Sequence, residues 1–239
     1  MSRRFEHKFS LPLEVKPYLF AWWEPYLVRA PYTDQDGVYP VLSQYFDTPG
    51  LTMYRDKVDG VGRRIKVRLR TYGWRFSGER PCYLEIKHRD QETISKVRAL
   101  FSGFRPEYTQ PDSWAELDRN DLGPFASLAA RFPLRQTAGV LYQREAYQGA
   151  LDSSLRMTVD FALVALHPGE CRRGRLSSES PRNFLPETEG ILEIKSGGRL
   201  DDWVIEGIRR AGLRQVTRSK YALAMEALGL PQTEVGVFL

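Results

Sequence analysis

Arg64, Lys66, Arg68 and Arg70 take every second position of the stretch Arg63-Arg64-Ile65-Lys66-Val67-Arg68-Leu69-Arg70. In an extended strand, successive side chains point to opposite faces. The four cations therefore share one face, and Ile65, Val67 and Leu69 share the other. One such strand alone reads as a solvated face on a two-layer protein, but the segregation recurs. Arg4, Glu6 and Lys8 share a face, Glu85 and Lys87 lie opposite Leu84 and Ile86, and Lys96 and Arg98 share a face. Arg156, Thr158 and Asp160 lie opposite Leu155, Met157 and Val159, and Glu193 and Lys195 lie opposite Leu192 and Ile194. The pattern Glu-x-Lys appears three times, as Glu6-His7-Lys8, Glu85-Ile86-Lys87 and Glu193-Ile194-Lys195.

Bases dominate these faces and carboxylates are sparse, so their convergence in one interior would make a strongly positive cavity. Burying that charge dry costs several kcal/mol per ion, so the interior must hold water and counter-anions. A linear polyanion such as a triphosphate or polyphosphate chain is the natural ligand. Arginine forks match phosphate oxygens bidentately and lysines add point charge. The few carboxylates suit Mg²⁺ or Mn²⁺, hard cations that bridge phosphate oxygens. Glu85 is divided between metal ligation and an internal salt bridge. Asp160 reads first as a group that orients an arginine.

The elements that must position these faces are strands. Period-2 alternation and β-branched or aromatic content mark about eight, near 4–10, 39–47, 63–72, 82–89, 93–100, 138–148, 154–165 and 190–196. Residues 13–27 read as a helix entered through Pro12, and 112–132 carry a helical pattern. Residues 168–190, rich in Ser, Pro, Arg and Glu, read as a mobile loop. Residues 201–213 and 217–228 read as closing helices that stop near Gly212 and at Gly229. The expected architecture is α+β: an eight-stranded antiparallel β-barrel with flanking and C-terminal helices, forming a single domain over residues 1–239.

Composition narrows the function classes. The chain has 239 residues, 42% hydrophobic and 27% charged, with a net charge of +5. That is ordinary for a globular protein and fits an anionic ligand. The longest apolar run, Phe161 to Leu166, is strand-sized and far from the roughly 20 residues that span a bilayer. No apolar segment follows the N-terminal arginines, so no signal peptide is expected. Cys82 and Cys171 have no metal-type spacing and fit a reducing compartment or one disulfide. A cytoplasmic protein is expected, with room for a membrane-protein partner. There is no Walker A motif, and Gly60-Val61-Gly62 reads as a turn. His7, His88 and His167 lack catalytic or zinc spacing, and Ser43 and Ser219 lack a His/Asp pair. A nucleic-acid surface would need open basic faces with stacking aromatics, so no nucleic-acid partner is expected.

At these residues the sequence resembles the catalytic domain of the vacuolar transporter chaperone (VTC) polyphosphate polymerases, a branch of the CYTH-like triphosphate tunnel metalloenzymes. The matching pieces run in order across nearly the whole chain. They begin with Arg4-Phe5-Glu6-His7-Lys8, Tyr45-Phe46-Asp47-Thr48, Tyr54-Arg55-Asp56-Lys57 and the Arg64 to Tyr72 strand. Leu84-Glu85-Ile86-Lys87, Lys96-Val97-Arg98 and Tyr142-Gln143-Arg144-Glu145 follow. The last are Leu155 to Asp160, Leu192-Glu193-Ile194-Lys195 and Ser219-Lys220-Tyr221.

The resemblance implies an eight-stranded tunnel, ATP as phosphoryl donor and inorganic polyphosphate as product. It assigns phosphate binding to Arg68, Arg70, Lys87, Lys96, Arg144, Arg156, Lys195 and Lys220. Of these, Arg68, Arg70, Lys87, Arg144 and Lys220 are expected at the reacting phosphates. Lys8, Arg64, Lys66, Lys96, Arg98, Arg156 and Lys195 would hold the rest of the substrate. The metal falls to Glu193, with Glu6 matching the Glu-x-Lys signature of the wider superfamily. Two rival readings are a triphosphatase on the same fold and a non-catalytic polyphosphate-binding module.

Overall fold

The computed structural model describes residues 5–31, 37–91, 93–173 and 182–230. In chain order its elements are β1 (Phe5–Pro12), α1 (Lys16–Trp23), β2 (Leu27–Arg29), β3 (Val38–Asp47), α2 (Thr52–Val58), β4 (Arg63–Thr71), β5 (Cys82–Asp90) and β6 (Thr93–Phe101). Then come α3 (Gly123–Arg131), β7 (Arg135–Gly149), β8 (Arg156–Leu166), α4 (Pro168–Arg173), β9 (Arg182–Asn183), β10 (Glu189–Ser196), α5 (Asp202–Arg210), β11 (Arg214–Gln215) and α6 (Lys220–Ala227). All eight expected strands form. The architecture is α+β, with a large antiparallel sheet and, among the described residues, six α-helices.

The expected closed eight-stranded barrel does not form. Among the described residues, eleven strands make one open sheet in the order β11-β1-β10-β8-β7-β3-β4-β5-β6, with β2 also on β7 and β9 also on β8. The order is a path with two ends. One reason is local: β11 pairs with β1 through Phe9↔Gln215 and Ser10↔Arg214, occupying part of the edge that closure would use.

Proline sets the helix boundaries that differ from expectation. The helix expected over 13–27 is α1 followed by a 3₁₀ turn, Glu24–Tyr26, because Pro25 lacks an N–H and disfavours helix before it. Within 112–132 only α3 is α-helical, and it starts with Pro124 in its first turn. The loop expected over 168–190 contains α4 and β9, and residues 174–181 lie outside the described residues. Gly212 and Gly229 follow α5 and α6 with φ of 60° and 67°, the left-handed conformation that ends a helix at little cost.

The chain divides into two compact units, one of residues 1–40, 142–163 and 185–218, the other of residues 41–141, 164–184 and 219–239. Each has its own core, built from the apolar half of the strand alternation. In the first, Phe9, Leu11, Met157, Val159, Leu192 and Ile194 pack with Leu19 and Trp23 of α1 and Val204 of α5. Trp23 donates its Nε1 to the Trp203 carbonyl (3.2 Å), and α5 approaches it at Gly207, where an added Cβ would sit 2.3 Å from that nitrogen. In the second, Val67, Leu69, Leu84 and Ile86 pack with Phe46, Trp114 and Phe125. Fully burying each such side chain stabilises by about 1.5–3 kcal/mol. Opposite each core lies the polar face. Cys82 and Cys171 are both buried and free, which removes the disulfide alternative. No helix among the described residues is long and apolar enough to cross a membrane.

Candidate functional site

In the second unit the polar face is organised around one carboxylate. Register places Arg68 opposite Glu85 and Glu85 opposite Arg98, in one row across β4, β5 and β6. Glu85 is 1% exposed. Its Oε2 accepts from Arg68 Nε at 2.7 Å and its Oε1 from Arg98 Nε at 2.8 Å, and Lys96 closes on it as a third partner. Glu85 is thus the centre of an internal ion-pair hub. Burial alone would push its pKa up, but Arg68, Arg70 and Lys96 outweigh that and hold it well below the usual carboxylate range. Burial pushes Lys96 down to about 8 despite Glu85.

The next row along the same strands is Lys66, Lys87 and Lys96, directly opposite one another. Like charges in register repel, and the arrangement suits an anion lying over them. Lys66 donates to Ser219 Oγ (2.8 Å), the N-cap of α6, and Lys220 is the first residue of that helix. Arg70 is 6% exposed and donates its Nε to Ser43 Oγ at 3.0 Å. Tyr45 stacks on Tyr221 at 4.9 Å. Burial raises the Tyr45 phenol, and Arg68 and Arg70 more than offset it, so its pKa ends below the usual tyrosine value. Tyr221 donates to Asp47 (2.7 Å), which also accepts from the backbone N–H groups of Thr48, Met53 and Tyr54 and so fixes α2. Arg64 lies at the far end of β4, opposite Arg89 and two rows from Glu85.

In the first unit, Lys8 Nζ lies 3.0 Å from Glu6 and 3.7 Å from Glu193. Glu193, 8% exposed, also pairs with Lys195. Arg156 is exposed and pairs in register with Lys195. Arg144 directs Nε and Nη2 at the two oxygens of Asp160, at 2.5 and 2.7 Å. Asp160 is fully buried and raises the Arg144 pKa well above its usual value against burial. Asp160 thus takes the orienting role expected of it. Arg4 lies outside the described residues.

Among the described residues, no group of three or more His, Cys, Asp or Glu side chains is arranged to hold a metal. Glu6 and Glu193 nevertheless bracket one cationic group, the Lys8 ammonium. Thr158, in register with Glu193, has a buried hydroxyl oxygen with no hydrogen-bond partner. Two carboxylates and a hydroxyl oxygen are hard oxygen donors, the donor type that suits a hard divalent cation.

Tyr45 and Ser219 belong to the resembling motifs without a role expected of either side chain, and Ser43 has none expected at the site. The signal for Ser43 and Tyr45 was their alternation on β3, but their partners Arg70 and Arg68 follow only from the β3–β4 register.

The Glu85 hub gives a testable pH dependence. A carboxyl held below its unfolded value, about 4.3, contributes stability that is present above that value and lost as pH falls toward the folded pKa. Wild type should lose stability on acidification from about pH 5 downward. Glu85→Gln should be less stable at pH 7 and should lose less on acidification, so the two converge at low pH. Urea midpoints at pH 7, 5, 4 and 3 measure this, and parallel curves would remove Glu85 from the account.

The fold and the site define an α+β protein with a cationic sheet face held on a few buried carboxylates. The family model described as the VTC domain matches residues 3–229, and the chain belongs to that family. Among solved structures it is similar to a candidate adenylyl cyclase from Hippeastrum described as having a dominant triphosphatase activity, at 12% identity and a TM-score of 0.53, covering 92% of this chain and 94% of that one. It is also similar to a candidate adenylate cyclase from Bacillus halodurans, at 10% identity and a TM-score of 0.50, covering 91% and 95%. At these identities the likeness is one of fold. No curated protein matches the chain.

Proposed function

We propose that this chain is a metal-dependent phosphotransferase that takes the terminal phosphoryl group of ATP and adds it to inorganic polyphosphate. The observation that carries this reading is the Glu85 hub, which fixes Arg68, Lys96 and Arg98 on one sheet face beside the row Lys66, Lys87 and Lys96. Membership of the VTC domain family supports it. Phosphoryl transfer asks little covalent chemistry of a protein; it asks for alignment and neutralisation of charge on the phosphate oxygens. Arg68 and Arg98, each held on Glu85 through both Nε and Nη2, are fixed in place and need not reorganise to meet phosphate oxygens. Lys87, Lys66 and Lys220 supply point charge that reduces repulsion between donor and acceptor anions. Arg70, Arg144, Arg156, Lys8 and Lys195 extend phosphate binding in this proposal. Glu193, with Glu6 and the Thr158 hydroxyl, would hold Mg²⁺ or Mn²⁺, which would supply Lewis-acid polarisation of the phosphate. No side chain is assigned as a nucleophile. The same reading places the chain in the cytoplasm with ATP and polyphosphate as partners, and gives it a membrane protein to dock on.

Incubation with ATP and Mn²⁺, followed by assay of polymer, free phosphate and ADP together, tests the reaction. ADP and long-chain polyphosphate should rise together. Phosphate released without polymer would assign the chain to hydrolysis, and neither product would leave a binding module. Arg68→Ala or Arg70→Ala should weaken a non-hydrolysable ATP analogue about 10- to 150-fold by calorimetry in EDTA, since a charge-assisted contact is worth about 1.5–3 kcal/mol. Unchanged affinity in both would move the phosphates off this face.

A further inference from the structure

Two arginines stand directly opposite each other where β4 begins and β5 ends, Arg64 and Arg89. Like charges in register destabilise a strand pair unless an anion lies between them. Beside them is a cavity of about 510 Å³, within the range that encloses small-molecule ligands. Arg63, Arg64 and Arg89 line it together with the apolar side chains Met53, Ile65 and Phe132. Among the described lining residues, only Asp56 and Asp90 oppose the three guanidinium groups. Arg63 spends its Nε on Asp90 at 3.2 Å, and Arg89 donates its Nε to the Gln91 carbonyl at 2.6 Å, so each is oriented by one bond and keeps its terminal N–H groups. Burial, and then Arg89, lower the Arg64 pKa from its usual value, against the pull of Asp56.

We infer that this cavity is a second ligand site, separate from the Glu85 hub, and that it takes a phosphate ester of mononucleotide size. Arg64 and Arg89 grip the phosphate, and the ring lies against Phe132 and Met53. The volume and the apolar floor exceed what a bare phosphate needs. The guanidinium pair supplies the planar donors that a phosphate monoester accepts bidentately. A ring pressed on an aromatic side chain adds stacking that inorganic phosphate cannot make. None of the side chains that Glu85 holds lines this cavity.

Calorimetry with AMP on the full chain in EDTA tests this, because AMP carries no phosphoanhydride to transfer and the proposed metal is excluded. Wild type should show one saturable site. Arg89→Ala, an exposed position whose loss spares the core, should weaken AMP by about tenfold or more, and Phe132→Leu should weaken it as well. Arg68→Ala should leave AMP affinity within about twofold, since charge-assisted contacts are local. Arg89→Ala should retain ATP turnover, so failure here is distinguishable from failure of the proposed function. Absence of saturable AMP binding overturns the inference. So does loss of binding in Arg68→Ala with Arg89→Ala unaffected, because the nucleotide would then occupy the Glu85 site. Inorganic phosphate displacing AMP at equal concentration also overturns it, since the ring would contribute nothing.

Discussion

Arg144→Ala should destabilise the fold by about 3–5 kcal/mol, the cost of removing one partner from a buried ion pair. The expectation follows from Asp160, which is fully buried and receives both Nε and Nη2 of Arg144. Without the guanidinium, the fully buried carboxylate loses its bidentate partner. It must then take up a proton or admit water, and either costs stability. Arg144→Lys keeps a charge but loses the planar fork, so it should fall between alanine and wild type. Replacing both partners, with Arg144→Met and Asp160→Leu, should recover much of the loss, because no charge is left unpaired. Urea titrations give the midpoints, and an unchanged slope shows that the variants unfold from comparable native states. A midpoint shift worth under about 0.5 kcal/mol for Arg144→Ala, the range of an ordinary surface change, would refute the buried-pair account. If turnover then collapsed while stability held, the phosphate contact proposed for Arg144 would be its main role.

The pair also shows what the sequence could and could not convey. Alternation along residues 64–70 and 155–160 assigned the faces correctly, because one face of each strand is uniformly apolar and a one-residue slip would bury every cation. Which cations act together was not legible, because that depends on register between distant strands. Arg64 and Arg68 look equivalent along β4. Across β5 one meets Arg89 and the other Glu85, and this separates a like-charge pair from a hub. The sheet's open order was equally hidden. The strands β2, β9 and β11 are two or three residues long and carry no periodic signal, yet β11 takes part of the β1 edge. Helix α2 was missed for a related reason. Its seven residues are held by Asp47 at the end of β3, and burial raises that carboxyl against the backbone bonds it accepts.

Glu193→Gln separates binding from chemistry. Glu193 is nearly buried among cations, paired with Lys195 and 3.7 Å from Lys8. Replacing it by the neutral isostere removes one negative charge from a basic neighbourhood and frees Lys195 and Lys8 to meet an incoming anion. Triphosphate binding without metal should therefore hold or tighten. Turnover should nevertheless fall at least about 100-fold, the scale of loss when reacting groups are misaligned by a fraction of their contact distance. The carboxylate that would hold the cation is gone, and Glu6 alone, already 3.0 Å from Lys8, is a weaker anchor. Arg68→Ala should show the opposite division, with weakened metal-free binding and a turnover loss that excess substrate partly restores. Calorimetry in EDTA and polymer synthesis across a Mn²⁺ titration give the two halves. Near-wild-type turnover of Glu193→Gln over that titration would remove Glu193 as the ligand. The role could not pass to Glu85, whose two oxygens are already committed to Arg68, Arg98 and Lys96. It would pass to Glu6, and Glu6→Gln should then show the loss that Glu193→Gln did not.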